Sequence, residues 1–213
     1  GKDKRDKILH DKDLALAGGP EMKAVFTDFK KLRDYSDDGY ANRNWNDTWK
    51  LVDSGKAAVQ IMGDWERGEF AAKGEVGDKD YGCIAGFDDA HPTATTSGDV
   101  FVFPKQTDPD KEAAQKRLAN LIISPAVQLA FNNAKSSSPV RSDVDMGAAD
   151  PCLQKALDIF NNHPESIVTD AQRWLSNDTT NQMNDLFTKF FNDANYTVDQ
   201  AQADYVNILK NAN

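Results

Sequence analysis

The sequence predicts an α/β fold: a helix-rich lobe with a small mixed sheet. Three observations carry this. Short apolar runs bounded by Gly or Pro cluster in the middle of the chain, amphipathic helical stripes precede them, and past Pro104 the chain reads as almost entirely helical. No internal repeat is visible.

Taken in order, Pro20 opens a helix whose Met22, Val25, Phe26, Phe29 and Leu32 share one face, and Asp37-Asp38-Gly39 stops it. Asn46 to Asp53 reads as a short helix with Trp45 at its start and Trp49 on its face. Ala57 to Met62 reads as a buried strand, Asp64 to Lys73 as a helix, and Tyr81 to Ala85 and Val100 to Phe103 as further strands. Asp108-Pro109, Ser124-Pro125 and Asp150-Pro151 pair a capping residue with a proline and so mark helix starts. Ala114, Leu118, Leu121 and Ile122 form the inward stripe of the first of these helices, and Leu153, Ala156, Leu157 and Phe160 that of the last. Met183, Leu186, Phe187, Phe190 and Phe191 mark another amphipathic helix. Thr197 and Gln200 form a capping box for the final one. No interdomain linker stands out, so one continuous lobe is the simplest reading.

With 213 residues the chain can bury a sizeable core, and 28% charged against 39% hydrophobic residues is ordinary for a folded domain. A net charge of −9 argues against a nucleic-acid partner, since a phosphate backbone demands a basic surface. No run of about 18 apolar residues exists to insert into a membrane. The charged opening Gly1 to Lys7 lacks the apolar core of a signal peptide, so either a leader has been removed or the chain begins inside a longer protein. His10, His91 and His163 are scattered, Asp88-Asp89 lacks the frame of a calcium loop, and nucleotide and nucleophile motifs are missing. No metal and no cofactor are expected. Cys83 and Cys152 stand far apart without zinc or redox spacing, and by themselves read as independent buried thiols.

The most telling stretch is Gly55-Lys56-Ala57-Ala58-Val59-Gln60-Ile61-Met62-Gly63-Asp64-Trp65, followed by Gly68-Glu69-Phe70. Small and apolar residues run into a Gly-Asp-Trp corner that presents an indole, a flat surface suited to the C–H face of a sugar. This phrase resembles the signature of the sugar ABC transporter extracytoplasmic solute-binding proteins of the glucose and mannose type. The resemblance implies a periplasmic binding protein-like II fold and a chain roughly twice this length, so residues 1–213 are expected to form the C-terminal lobe, with the first lobe missing. It implies a non-catalytic protein that binds a mono- or oligosaccharide in the periplasm and docks on a membrane permease. It also implies a Cys83–Cys152 disulfide, which would contribute roughly 4 kcal/mol in the chain-entropy model.

The same resemblance places ligand-binding residues. Trp65 is the first sugar plate, with core packing as its plain alternative; Trp45 precedes the signature, although Trp49 could serve instead. Asp99, in Ser97-Gly98-Asp99-Val100, corresponds to an acidic ligand residue, or else caps its turn. Asp64 reads as a cap for the helix after Gly63. Lys135, in Lys135-Ser136-Ser137-Ser138-Pro139-Val140-Arg141, matches a lysine that donates to the sugar, where an ordinary loop lysine would be solvated. Arg173 stands where glucose-type members carry a histidine. A fixed cation reads a different group from a neutral imidazole, so another hexose, an oligosaccharide or an acidic sugar enters consideration. Trp174 is given no role.

Two other classes compete. A secreted carbohydrate-active enzyme would need two carboxylates about 5 to 10 Å apart with one pKa raised. A surface module that binds a protein partner would show an exposed aromatic patch.

Overall fold

Proline directly after a capping residue starts four of the helices, because its fixed φ suits the first turn and its missing N–H would have had no partner there. The computed structural model of the chain describes residues 1–86, 93–147 and 149–212; Asp88, Asp89 and His91 lie outside the described residues. In chain order the helices are α1 (Lys2–Leu9), α2 (Leu14–Ala17), α3 (Pro20–Lys31), α4 (Trp45–Asp53), α5 (Arg67–Ala72), α6 (Pro109–Ile122), α7 (Pro125–Lys135), α8 (Pro151–Asn162), α9 (Asn177–Asn192) and α10 (Val198–Asn211). Strands β1 (Ala94–Thr96) and β2 (Ile167–Thr169) make a two-stranded sheet. No helix among the described residues is long and apolar enough to cross a membrane.

The chain divides into two compact units, residues 1–42 with 168–213, and residues 43–167. The first unit is helical and packs α3, α9 and α10 around Phe26, Phe190 and Leu209, which are almost completely buried. Phe26 meets Phe190 edge-on at 5.5 Å and Tyr205 at 5.6 Å, the aromatic geometry that aligns ring edges with ring faces. Thr197 and Gln200 satisfy each other's backbone N–H groups at the start of α10. Lys30 donates to the carbonyls of Phe190 and Asp193 at 2.6 and 2.7 Å, closing the C-terminal end of α9 with a cation where the helix dipole is negative.

The second unit holds Trp49, Phe70, Met146, Cys152, Leu153 and Ile159 in its interior. Trp49 meets Phe70 at 5.3 Å, and Phe70 stacks on Tyr81 at 4.4 Å. Cys83 and Cys152 are joined by a disulfide that closes a separation of 69 residues.

Residues 57–62 and 100–103 do not form strands, and Val59, Ile61, Val100 and Val102 are 76%, 62%, 83% and 79% exposed. Around Tyr81 the pairing shrinks to a single bridge with Gly77, so Cys83 sits in irregular chain. A strand needs a hydrogen-bonded neighbour as well as an apolar run, and among the described residues none lies beside these segments. Helix α6 buries none of its residues, which leaves Leu118 and Leu121 about half exposed, and Val25 on α3 and Leu32 in the 3-10 turn that follows it are also exposed.

Candidate functional site

The Gly-Asp-Trp corner forms as a tight turn rather than a strand end. Gly63 leads into a 3-10 turn, Asp64–Glu66, that runs directly into α5. A Cβ on Gly63 would lie 2.3 Å from Trp65 Nε1 and 2.8 Å from Cδ1, so only a glycine lets the indole fold back across the backbone. Trp45 opens α4 and is 44% exposed; its ring meets that of Trp65 edge-on, with centroids 4.7 Å apart and planes at 89°. Trp49 is buried with its indole N–H lacking a hydrogen-bond partner among the described residues. Of the two candidates on α4, Trp45 is therefore the one with a ring open to solvent.

Glu66 is buried and accepts a hydrogen bond of 2.7 Å from Gln60 Nε2. Burial pushes its carboxyl above the ordinary glutamate range; the Gln60 bond opposes this and nearby Glu69 adds to it. Asp64 caps nothing with its side chain. Its carbonyl oxygen accepts from Arg67 Nε at 2.9 Å instead.

Arg67 ties the corner to the lysine loop. Its side chain is 9% exposed, and it donates from Nη2 to the Ser136 carbonyl at 2.6 Å and from Nη1 to Asp150 at 3.3 Å. Next to it, a Cβ on Gly68 would stand 3.2 Å from the Ala134 carbonyl oxygen and 3.3 Å from that of Lys135, so α5 and the end of α7 touch backbone to backbone. Helix α7 stops because Ser136 takes the left-handed conformation, φ 58°, and returns its N–H to the Asn132 carbonyl. Beyond it the loop is held from beneath. Asn132 Oδ1 accepts from Ser137 Oγ at 2.8 Å, and Gln128 Oε1 accepts from the Val140 N–H at 3.2 Å. Lys135 is thus presented from a fixed base, and its ammonium donates to the carboxylate of Asp99.

Asp99 is 80% exposed and Lys135 32% exposed at the side chain. The hydrogen bond from Lys135, and then its charge, hold the Asp99 carboxyl below the usual aspartate range. Trp45, Trp65, Asp99 and Lys135 all belong to the second unit. Arg173 belongs to the first unit, in the 3-10 turn Ala171–Arg173 that Asp170 caps by accepting from the Gln172 N–H at 2.9 Å. Trp174 follows it and meets His10 edge-on at 5.5 Å. A groove of about 680 Å³ in the first unit, lined among others by Lys30, Arg33, Phe191 and Asn192, contains none of the ligand-binding candidates named from the sequence.

Sequence reasoning passed over Arg67, Asp150, Gln128 and Asn132. Nothing local marks a buried arginine within Trp-Glu-Arg-Gly, whereas Asp150 was visible only as a helix cap. Asp150 does cap α8, accepting from the Cys152 N–H at 2.8 Å, but it also accepts from the Gly77 N–H at 2.8 Å.

The profile of the bacterial extracellular solute-binding proteins matches residues 3–160. Over 157 residues the chain is 40% identical to a probable sugar-binding periplasmic protein of Brucella suis, an overlap of 74% of this chain and 37% of that protein. It is 38% identical over 157 residues to a protein of the same description from Rhizobium meliloti, again 74% of this chain and 37% of the relative. An uncharacterized ABC transporter extracellular-binding protein of Pyrococcus horikoshii is 36% identical over 145 residues, 66% of this chain and 31% of its own. The chain thus spans a little over a third of the length of the relatives it matches. With the profile covering well over half of its residues, the chain belongs to the bacterial extracellular solute-binding protein family.

Proposed function

We propose that this chain is the C-terminal lobe of a two-lobe solute-binding protein with the periplasmic binding protein-like II architecture. In the periplasm it binds a sugar and delivers it, chemically unchanged, to the membrane permease of an ABC importer. The observation that carries this reading is the short backbone path between Trp65 and Lys135. Arg67 and Gly68, the second and third residues after the indole, lie against the carbonyls of Ser136 and Lys135. Similarity to the probable sugar-binding periplasmic protein of Brucella suis and to the ABC transporter extracellular-binding protein of Pyrococcus horikoshii supports the sugar and the transporter.

The chemistry follows from the side chains. An indole covers the apolar face of a pyranose, Asp99 accepts from hydroxyls, and Lys135 donates to them. Because Asp99 and Lys135 are paired at the surface, where such pairs are weak, a sugar hydroxyl can take the place of either partner at little cost. Arg173, a candidate from the sequence, is a fixed cation of the kind that reads an electronegative group. An acid catalyst at Asp99 is disfavoured, since a carboxyl held below its ordinary range stays ionised. Further contacts come from the first lobe, so this chain by itself binds weakly.

Calorimetry on the polypeptide at the full length of its relatives, against neutral and acidic mono- and oligosaccharides, tests the reading. Trp65→Ala and Asp99→Ala should each weaken binding by about tenfold or more, the equivalent of about 1.4 kcal/mol. Absence of saccharide binding, or affinity unchanged in both variants, would overturn it.

A further inference from the structure

The disulfide has an unexpected neighbour. The carboxylate of Asp78 comes together with Cys83 and Cys152, with the ligand-capable atoms all within 4.8 Å of one another. Asp78 Oδ1 lies 3.7 Å from Cys83 Sγ. In a tetrahedral zinc site with bonds of about 2.3 Å to sulfur and 2.1 Å to oxygen, the sulfur-to-oxygen edge is about 3.6 Å. We infer that reduction of the Cys83–Cys152 bond turns this clip into a binding site for one zinc ion, with two thiolates and the Asp78 carboxylate as protein ligands and water in the fourth position.

The frame of the site does not depend on the bond that is broken. Asp150 accepts from the Gly77 N–H on one side and from the Cys152 N–H on the other, both at 2.8 Å, and is itself paired with Arg67. The turn that carries Asp78 is closed by its own N–H to the Tyr81 carbonyl at 2.7 Å, with Asp78 in the left-handed region at φ 60°. That conformation is one a short polar side chain tolerates, and it aims the carboxylate at the cysteines. Once the sulfurs are no longer bonded, they need to part to about 3.8 Å to share a zinc ion. Rotation of the half-buried Cys83 side chain provides that movement while Cys152 stays on α8.

The charges also balance. Two thiolates and one carboxylate carry three negative charges, and a divalent ion leaves one. Lys155, whose Nζ donates to Asp78 at 2.9 Å and to the Cys83 carbonyl at 3.1 Å, offsets it and favours the thiolate forms. The reductant is a dithiol. Its thiolate attacks Cys83 Sγ, the more accessible sulfur, and its second thiolate resolves the mixed disulfide. The protein gains two electrons and two protons as two thiols, and the reductant leaves as a cyclic disulfide. Zinc binding then releases the two thiol protons to solvent.

The test uses the full chain, reduced with dithiothreitol, freed of reductant without air, and titrated with zinc chloride against a chromophoric chelator. One zinc ion per chain is expected for the reduced protein and none for the oxidised one, with far-ultraviolet circular dichroism unchanged by reduction. Asp78→Asn, which leaves both cysteines in place, should weaken zinc binding at least tenfold, and Cys83→Ser should abolish it. The inference is overturned by reduced protein that takes up no stoichiometric zinc, by Asp78→Asn that binds as well as the parent, or by loss of the fold on reduction.

Discussion

Arg67 and Asp150, separated by 83 residues, meet at 3.3 Å and between them engage four separate backbone points. The arginine donates to the carbonyls of Asp64 and Ser136, and the aspartate accepts from Gly77, Cys152 and the guanidinium. Removing one member of such a pair leaves a charge with no compensation in a site that water barely reaches. Asp150→Ala should therefore lower the stability of the chain by about 3 kcal/mol or more, read as a shift of the urea midpoint. An unchanged midpoint would show that the pair is dispensable.

Lys135 sets the acidity of Asp99. With Lys135→Met, the depression of the Asp99 carboxyl should vanish and its titration return towards the ordinary aspartate value of 3.8. Carbon-detected magnetic resonance of the side-chain carboxyl follows this directly. The ion pair lies at the surface, with Asp99 largely exposed, so the fold itself should show little change in stability.

Gly63 controls where the indole of Trp65 lies. In Gly63→Ala the new methyl carbon would sit 2.3 Å from Trp65 Nε1, and the ring must swing away. The expected outcome is a shifted tryptophan emission spectrum and a saccharide affinity lowered about as much as by Trp65→Ala. Thermal stability should stay close to that of the parent, because Trp65 is only half-buried.

Tyr205 provides a pH signature for the first unit. Burial pushes its phenol up to about 12, with Arg5 opposing the effect, whereas the unfolded chain ionises near 10. Between these values the folded state holds a proton that the unfolded state has lost, so stability is complete below pH 10 and falls as pH rises towards 12. Two pKa units correspond to about 3 kcal/mol. Tyr205→Phe should reduce the alkaline slope of unfolding free energy by about one proton; an identical slope would assign the effect elsewhere.

The helices were largely legible because their signals are local. Asp108-Pro109, Ser124-Pro125 and Asp150-Pro151 mark starts within two residues, and the Thr197–Gln200 box encodes its own reciprocal bonds. Strands were not legible in that way. Val59, Ile61, Val100 and Val102 have the composition of buried strands, but burial depends on what stands beside them, which no local window contains. The candidate site shows the same division. Trp45, Trp65, Asp99 and Lys135 could be named from short phrases, whereas the Arg67 and Gly68 contacts that bring the corner and the lysine together are long-range and left no trace in the sequence.

The open flanks of residues 59–62 and 100–103 have a practical consequence for anyone handling this polypeptide. Each offers exposed aliphatic side chains, on backbone that pairs in no strand among the described residues, to any other copy that drifts close, the arrangement from which cross-strand stacking grows. The net charge of −9 keeps dilute molecules apart by mutual repulsion, and salt weakens that repulsion. Concentrated, salty preparations should turn turbid first, and a lysine at Val59 or Val102 should keep them clear.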